Sequence, residues 1–267
     1  MSYLFKACLW AMTLLLCACS RDAYGPGAGA STLDRILERG VLVIGTEPEF
    51  PPFEYVDPSG EYLGFDMDLA RALAADLGVE LRIESMAFQS LPTALSNGQI
   101  DLILSGLTAT AERAKTLLFT EPYFRTGLCL LVQREGGVEG PEDLNAPGRK
   151  IAVKLGTTGE IVAARLFPKA ELVRFDTEGS CALELVNRRA DAFIYDQLSI
   201  MRHHKNNPET TRALLEPLTY EPYAIAIQQG DFVFWRYLNL FFDRIRGDGR
   251  FDELYQKHFS ELTDGAQ

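Results

Sequence analysis

The sequence is poor in histidine, tryptophan and cysteine, and it lacks both a basic excess and a long apolar run. It has three histidines in 267 residues, two of them adjacent at His203 and His204. That pair does not reproduce a zinc-ligand spacing such as i, i+4 on a helix, so no metal and no cofactor are expected. Lys and Arg number 26 against 37 Asp and Glu, for a net charge of −11. Nucleic acid requires a basic stripe, so no nucleic-acid partner is expected. Beyond the first residues, no segment is apolar for long enough to span a bilayer. Of five cysteines, three lie at or before Cys19. Cys129 and Cys181 remain, either paired in an oxidising compartment or held as buried thiols. With 47% hydrophobic and 24% charged residues the chain is not disordered. Its length allows two ordinary domains or one large one.

The amino terminus reads as a leader. Lys6 supplies a positive charge ahead of the short apolar run Ala7 to Leu16. Leu16-Cys17-Ala18-Cys19 resembles the lipobox of bacterial lipoproteins. The resemblance implies a signal peptide over 1–18 and a lipid on Cys19, which places the protein outside the cytoplasm, anchored to a membrane. A plain secretory signal with incidental cysteines is the alternative. Residues 19–32, with Gly25, Pro26, Gly27 and Gly29, read as a flexible tether. No strand precedes these glycines, which excludes a dinucleotide-binding loop.

From Val41 onward short apolar runs alternate with amphipathic stretches. Val41–Ile44, Leu81–Met86 and Leu102–Leu104 read as strands. Met67–Leu77 and Leu91–Ser96 read as helices, with Asp66 as N-cap of the first and Asn97-Gly98 stopping the second. Asp66 and Asp68 read as acids favoured by the start of that helix. The pattern then restarts with strands 128–132, 151–153, 172–175 and 192–194 and helices 160–166 and 182–188. A last strand at 224–227 is followed by helices through about Phe259. This alternation predicts an α/β fold of two lobes, each a mostly parallel sheet flanked by helices. One strand and two helices cannot stand alone, so the chain is expected to cross back. Lobe 1 then comprises 33–124 and 223–262, lobe 2 comprises 125–222, and two crossings near Tyr123–Thr126 and Tyr220–Tyr223 form a two-stranded hinge.

In open α/β sheets ligands bind beyond the carboxyl ends of the strands. Those ends carry Glu47 and Phe50, Ser105 and Gly106, Thr108, Thr157 and Thr158, and Asp196. Thr157 and Thr158 open a helix, where amides favour an anion; they serve equally as a cap. Arg113 offers a planar fork to a carboxylate, or pairs at the surface with Glu112 or Glu121. Asp196 offers the opposite charge from the other lobe, or caps a helix starting near Gln197. Together Arg113 and Asp196 suit a zwitterion such as an α-amino acid. Phe50, Phe53 and Phe88 supply either an apolar wall or core.

Seven segments, in order, make the sequence similar to the type 3 extracellular solute-binding proteins, the polar amino-acid-binding periplasmic proteins of ABC transporters. They are Gly45-Thr-Glu-Pro-Glu-Phe-Pro-Pro-Phe-Glu54, Leu63-Gly-Phe-Asp-Met-Asp-Leu69, Gly98-Gln-Ile-Asp101, Ser105-Gly-Leu-Thr-Ala-Thr-Ala-Glu-Arg113, Phe119-Thr-Glu-Pro-Tyr123, Gly156-Thr-Thr-Gly-Glu160 and Asp191-Ala-Phe-Ile-Tyr-Asp196. The resemblance implies a two-lobed periplasmic binding fold. It implies Arg113 on the ligand carboxylate with Thr108 and Thr158, Asp196 on the ammonium with Ser105 and Gly106, and Phe50, Phe88 and Glu47 around the side chain. It also implies a membrane permease as partner, a monomeric protein and no covalent chemistry. Gly106, Gly159 and the Glu221-Pro222-Tyr223-Ala224 segment depart from residues seen in some members, which bears on substrate identity. The same family includes cyclohexadienyl dehydratases, which need a general acid in the cleft; Glu47, Glu49 and Glu160 are the nominal candidates. A ligand-sensing module is the remaining alternative.

Overall fold

The computed structural model describes residues 31–263; the leader, Cys19 and the glycine-rich stretch up to residue 30 lie outside the described residues. In chain order come α1 (Thr32–Arg39), β1 (Val41–Thr46), β2 (Glu49–Phe50), β3 (Glu54–Val56), β4 (Tyr62–Leu63), α2 (Phe65–Leu77), β5 (Glu80–Ser85), α3 (Leu91–Ser96), β6 (Leu102–Ile103) and β7 (Leu117–Phe119). A first crossing strand, β8 (Phe124–Thr126), leads to β9 (Leu128–Gln133), β10 (Lys150–Lys154), α4 (Thr158–Leu166), β11 (Glu171–Phe175), α5 (Glu178–Val186), β12 (Ala192–Asp196), α6 (Gln197–Asn206) and β13 (Thr211–Leu214). The second crossing strand, β14 (Glu221–Tyr223), returns to β15 (Ala226–Gln228), α7 (Phe232–Gly247) and α8 (Arg250–Thr263).

The two large sheets share one plan, β5-β1-β6-β15-β7 and β11-β10-β12-β9-β13. β1 and β10 each pair in parallel with both neighbours. The fourth strand is reversed in each: β15 is antiparallel to β6 and β7, and β9 to β12 and β13. Each reversed strand follows directly on a crossing. The crossings pair with each other, Glu221 opposite Thr126 and Tyr223 opposite Phe124, and make the two-stranded hinge. The fold is two-lobed α/β, with helices on the sheet faces.

The central strands read as unbroken apolar runs because both of their faces are covered. Leu42 and Ile44 pack in one cluster with Leu69 and Leu73 of α2 and Leu238 and Phe242 of α7. Val43, pointing the other way, packs with Leu91 and Leu95 of α3. Each such fully buried side chain contributes about 1.5–3 kcal/mol. Ile151 and Val153 of β10 split from Ala152 in the same way. At the base of the lobes an aromatic cluster runs across the hinge, with Phe124 at 4.8 Å from Phe53, 4.9 Å from Phe259 and 5.9 Å from Tyr223.

Local chemistry sets the helix boundaries, and several differ from those expected. α1, which hydrophobic pattern alone does not reveal, starts with a capping box between Ser31 and Asp34. Its first amide, Thr32 N, donates to Asp231 Oδ2 at 2.7 Å, while Asp231 Oδ1 caps α7 through Phe234 N at 3.0 Å. Asp66 is not the N-cap of α2; Gly64 holds that position at φ 118° because its Cα faces the Phe53 carbonyl too closely for any side chain. α5 starts at Glu178, four residues before the expected Ala182, because Thr177 caps it through Ser180 N at 3.1 Å. Cys129 and Cys181 are buried free thiols, pushed by burial to about 11 and about 12.

Candidate functional site

Parallel pairing sets the carboxyl ends of β1 and β6 side by side in the first lobe, and those of β10 and β12 in the second. The lobes turn these ends toward one cleft. The first contributes Glu47, Phe50, Glu54, Phe88, Ser105, Gly106, Thr108 and Arg113; the second contributes Lys154, Thr157, Thr158, Tyr195 and Asp196. The ten residues nominated for ligand binding therefore border a single space, whereas Glu49 and Glu160, nominated as general acids, are not among its lining residues. Phe53 does not; it stacks behind Phe50 at 5.1 Å and belongs to the core.

Arg113 makes no ion pair with Glu112, which binds Lys115 instead. Its guanidinium points inward, donating through Nη1 to Thr108 O and through Nη2 to Gly156 O, both at 2.9 Å. The second bond crosses from lobe 1 to lobe 2. The Phe88 ring lies 5.7 Å from Arg113 Cζ. Burial pushes the guanidinium down to about 10, against the opposing fields of Glu221 and Asp196, so it stays charged at neutral pH.

Asp196 sits at the N-cap position of α6, yet its side chain makes no capping bond. Oδ1 instead accepts from the Tyr223 phenol. Burial pushes the carboxyl up to about 7; the phenol opposes this, while Glu221 and Glu178 add to it. Thr157 caps α4, accepting from Glu160 N at 3.4 Å and donating to Lys154 O at 2.8 Å. Ser105 Oγ accepts from Glu47 N at 3.0 Å and donates to Glu54 Oε1 at 2.9 Å, and Gly106 N donates to Asp66 Oδ2 at 2.9 Å. The Gly106 amide is thus committed to the protein, and Asp66 braces the cleft floor rather than serving only the dipole of α2.

Glu47 forms a salt bridge with Lys154 across the cleft. Lys154 is 1% exposed and Glu47 8%. Burial raises the Glu47 carboxyl, and Lys154 opposes the rise. The ammonium lies 5.6 Å from the Phe88 ring and 6.0 Å from Tyr195. Behind Ser105, Glu54 is fully buried; burial first, then the charge of Asp66, hold its carboxyl well above the usual range. Asp66 itself is pushed up to about 6 by burial, with Gly106 and Tyr123 opposing. Closed in this way, the cleft retains about 20 Å³, the room of roughly one water. A larger guest enters only when the lobes part.

Lys154, Glu54 and Tyr195 are cleft residues that sequence reasoning missed. Lys154 carried a signal, being a charged residue at the carboxyl end of a buried strand. Glu54 closes the Pro-Pro-Phe-Glu segment.

A family model for bacterial extracellular solute-binding proteins, family 3, matches residues 42–261. The probable histidine-binding protein of Neisseria gonorrhoeae is 30% identical over 262 residues, covering 96% of this chain and 94% of its own. The glutamine-binding protein GlnH of Bacillus subtilis is 30% identical over 263 residues, with 95% and 94% covered. Among solved structures, the ancestral amino acid-binding protein AncCDT-1, a precursor of cyclohexadienyl dehydratase, superposes with a TM-score of 0.79 at 37% identity, covering 86% of this chain and all of that one. The matched span takes in both sheets, the hinge and every residue of the cleft, and the chain belongs to the bacterial extracellular solute-binding proteins of family 3.

Proposed function

We propose that this protein captures one amino acid with a neutral, amide-bearing side chain between its lobes and delivers it to an ABC transporter permease. The observation that carries the reading is the placement of opposite charges on opposite walls. Arg113 faces the cleft from lobe 1 (33–124 and 223–262) and Asp196 from lobe 2 (125–222). A zwitterion satisfies both, its carboxylate on the guanidinium with Thr108 and Thr158, its ammonium on Asp196 beside Ser105 and Gly106. The Lys154–Glu47 pair supports the choice of side chain. An amide offers an acceptor to the ammonium and a donor to the carboxylate at once. A cationic side chain meets Lys154 at close range, and an anionic one meets Glu47. Phe50 and Phe88 flank the apolar stem. Binding closes the hinge, and the permease reads the closed form. The lipid on Cys19 holds the monomer at a membrane outside the cytoplasm.

One observation favours a second reading, a dehydratase of the cyclohexadienyl type. Glu54 borders the cleft, and burial raises its carboxyl well above the usual range, which makes it the candidate general acid. Against it, Asp196 repels a dianion without an amine.

The test is thermal unfolding of the soluble chain from Ser20, stripped of retained ligand, against the L-amino acids, prephenate and arogenate. Ligand at 100 times its dissociation constant adds about 2.7 kcal/mol, or roughly 5–10 °C. A shift with glutamine or asparagine and no turnover supports the proposal. A shift with arginine or lysine alone overturns the side-chain assignment, and a response to prephenate with product formation transfers the protein to the second reading.

A further inference from the structure

We infer that Tyr223, on the second crossing strand, is the positioning residue that aims the Asp196 carboxylate at the ligand's ammonium group. The inference rests on the proposed amino-acid reading and goes beyond it, because Tyr223 does not line the cleft.

The tyrosine is fully buried and its ring is held from three sides. Phe53 lies 5.3 Å away at 74°, Phe124 at 5.9 Å and Phe50 at 6.2 Å. Its backbone belongs to the hinge and the first lobe. Tyr223 O accepts from Tyr123 N at 2.9 Å, and Tyr223 bridges to Thr108. Its phenol nevertheless reaches the second lobe and donates to Asp196 Oδ1. One residue therefore ties the strand between the lobes to the acid that ends β12.

That bond has a chemical task. A carboxylate buried without a donor takes up a proton, and the neutral acid attracts an ammonium poorly. Around Asp196 stand Glu221 of the hinge and Glu178 of α5, which disfavour its charge, and Arg113 of lobe 1, which favours it. Tyr195 on β12 and Cys129 on the adjoining β9 are protonated neighbours. The phenol bond favours the ionised form from a fixed direction, and α6 places no competing claim on the side chain.

Tyr223→Phe removes one hydroxyl and keeps the ring. Affinity for the amino acid identified by the unfolding panel is measured by calorimetry from about pH 5.5 to about pH 8.5, spanning the range in which a raised carboxyl titrates. A charge-assisted hydrogen bond predicts an affinity loss of about tenfold or more near neutrality. The loss shrinks toward the alkaline end, where Asp196 ionises without help. The same ligand without its amine loses nothing. An equal loss at every pH and for both ligands marks a merely structural role and overturns the inference, as does an unchanged profile. Should Tyr223→Phe not fold, 3-fluorotyrosine at position 223 gives a stronger donor, and the binding profile must move toward acid; a fixed profile overturns the inference. Absence of any amino-acid binding by the unaltered protein overturns the functional reading itself, whereas normal binding with an indifferent Tyr223 variant overturns this inference alone.

Discussion

Lys154 of the second lobe and Glu47 of the first meet inside the closed cleft, each nearly out of solvent. A pair that spans two moving bodies exists only while they are closed. Its formation therefore enters the free energy of closure, and with it the affinity for whatever the cleft encloses.

Lys154→Met leaves Glu47 buried without its partner, a change that costs about 3–5 kcal/mol in buried pairs. Because the lobes can part to rehydrate Glu47, the loss is expected in ligand affinity and not in the unfolding midpoint. Glu47→Gln combined with Lys154→Met recovers part of it, with a coupling of about 0.5–3 kcal/mol. Calorimetry on the two single variants and the double variant measures the coupling; strictly additive losses exclude the pair as a unit.

Arg113→Ala and Asp196→Ala each strand the opposite charge of a bound zwitterion. Each is expected to weaken binding by about 3–5 kcal/mol while the far-ultraviolet spectrum and unfolding midpoint stay near those of the parent. Unchanged affinity in either variant removes that residue from the site.

Gly156 is a steric sensor of closure. At φ 75° it favours glycine, and a Cβ placed there meets Cβ of Gln89, on the opposite lobe, at 2.8 Å. Gly40, at φ 71°, faces nothing within 4 Å and serves as control. Gly40→Ala is expected to cost stability alone, about 1–2 kcal/mol for the left-handed backbone. Gly156→Ala is expected to cost that and, in addition, ligand affinity, since the clash arises only on closing. Equal affinity in the two variants shows that Gln89 gives way.

Glu54 and Asp66 bind protons more tightly folded than unfolded. Their contribution is complete below the ordinary carboxylate range and is lost as pH rises through their folded values, about 6 for Asp66 and well above the ordinary range for Glu54. Glu54→Gln replaces the carboxyl proton with an amide proton that does not titrate. The difference in unfolding midpoint, variant minus parent, is expected to rise between about pH 5 and about pH 8 by at least roughly 2 °C. A difference that stays flat shows that the pair does not carry this proton.

Much of the architecture was legible because two faces of each central strand are buried, which turns Val41–Ile44 and Ile151–Val153 into apolar runs that nothing else explains. The strand-end rule then led to Ser105, Thr157 and Asp196 without any side-chain geometry. Lys154 escaped because a lysine at a strand end ordinarily reaches solvent; here Glu47 and Phe88 of the opposite lobe stand against its ammonium, and no local pattern reports on a surface that distant residues supply. Asp66 was misplaced for a related reason. An acid at a helix start satisfies the local dipole rule, while its bonds to Gly106 and Tyr123 are made by segments far along the chain. Tyr223 lay in view within a hinge crossing, yet its phenol's target depends on how that crossing meets β12.

The place of β15 has a temporal consequence. β7 pairs only with β15 among the strands of its sheet, and β15 lies beyond the whole of the second lobe in the chain. A polypeptide emerging from a ribosome or a translocon can complete the β9–β13 sheet from a continuous stretch. The sheet begun first must wait with an open seam between β6 and β7 until the carboxyl-terminal segment arrives, so the earlier-made half of the molecule is the later to mature.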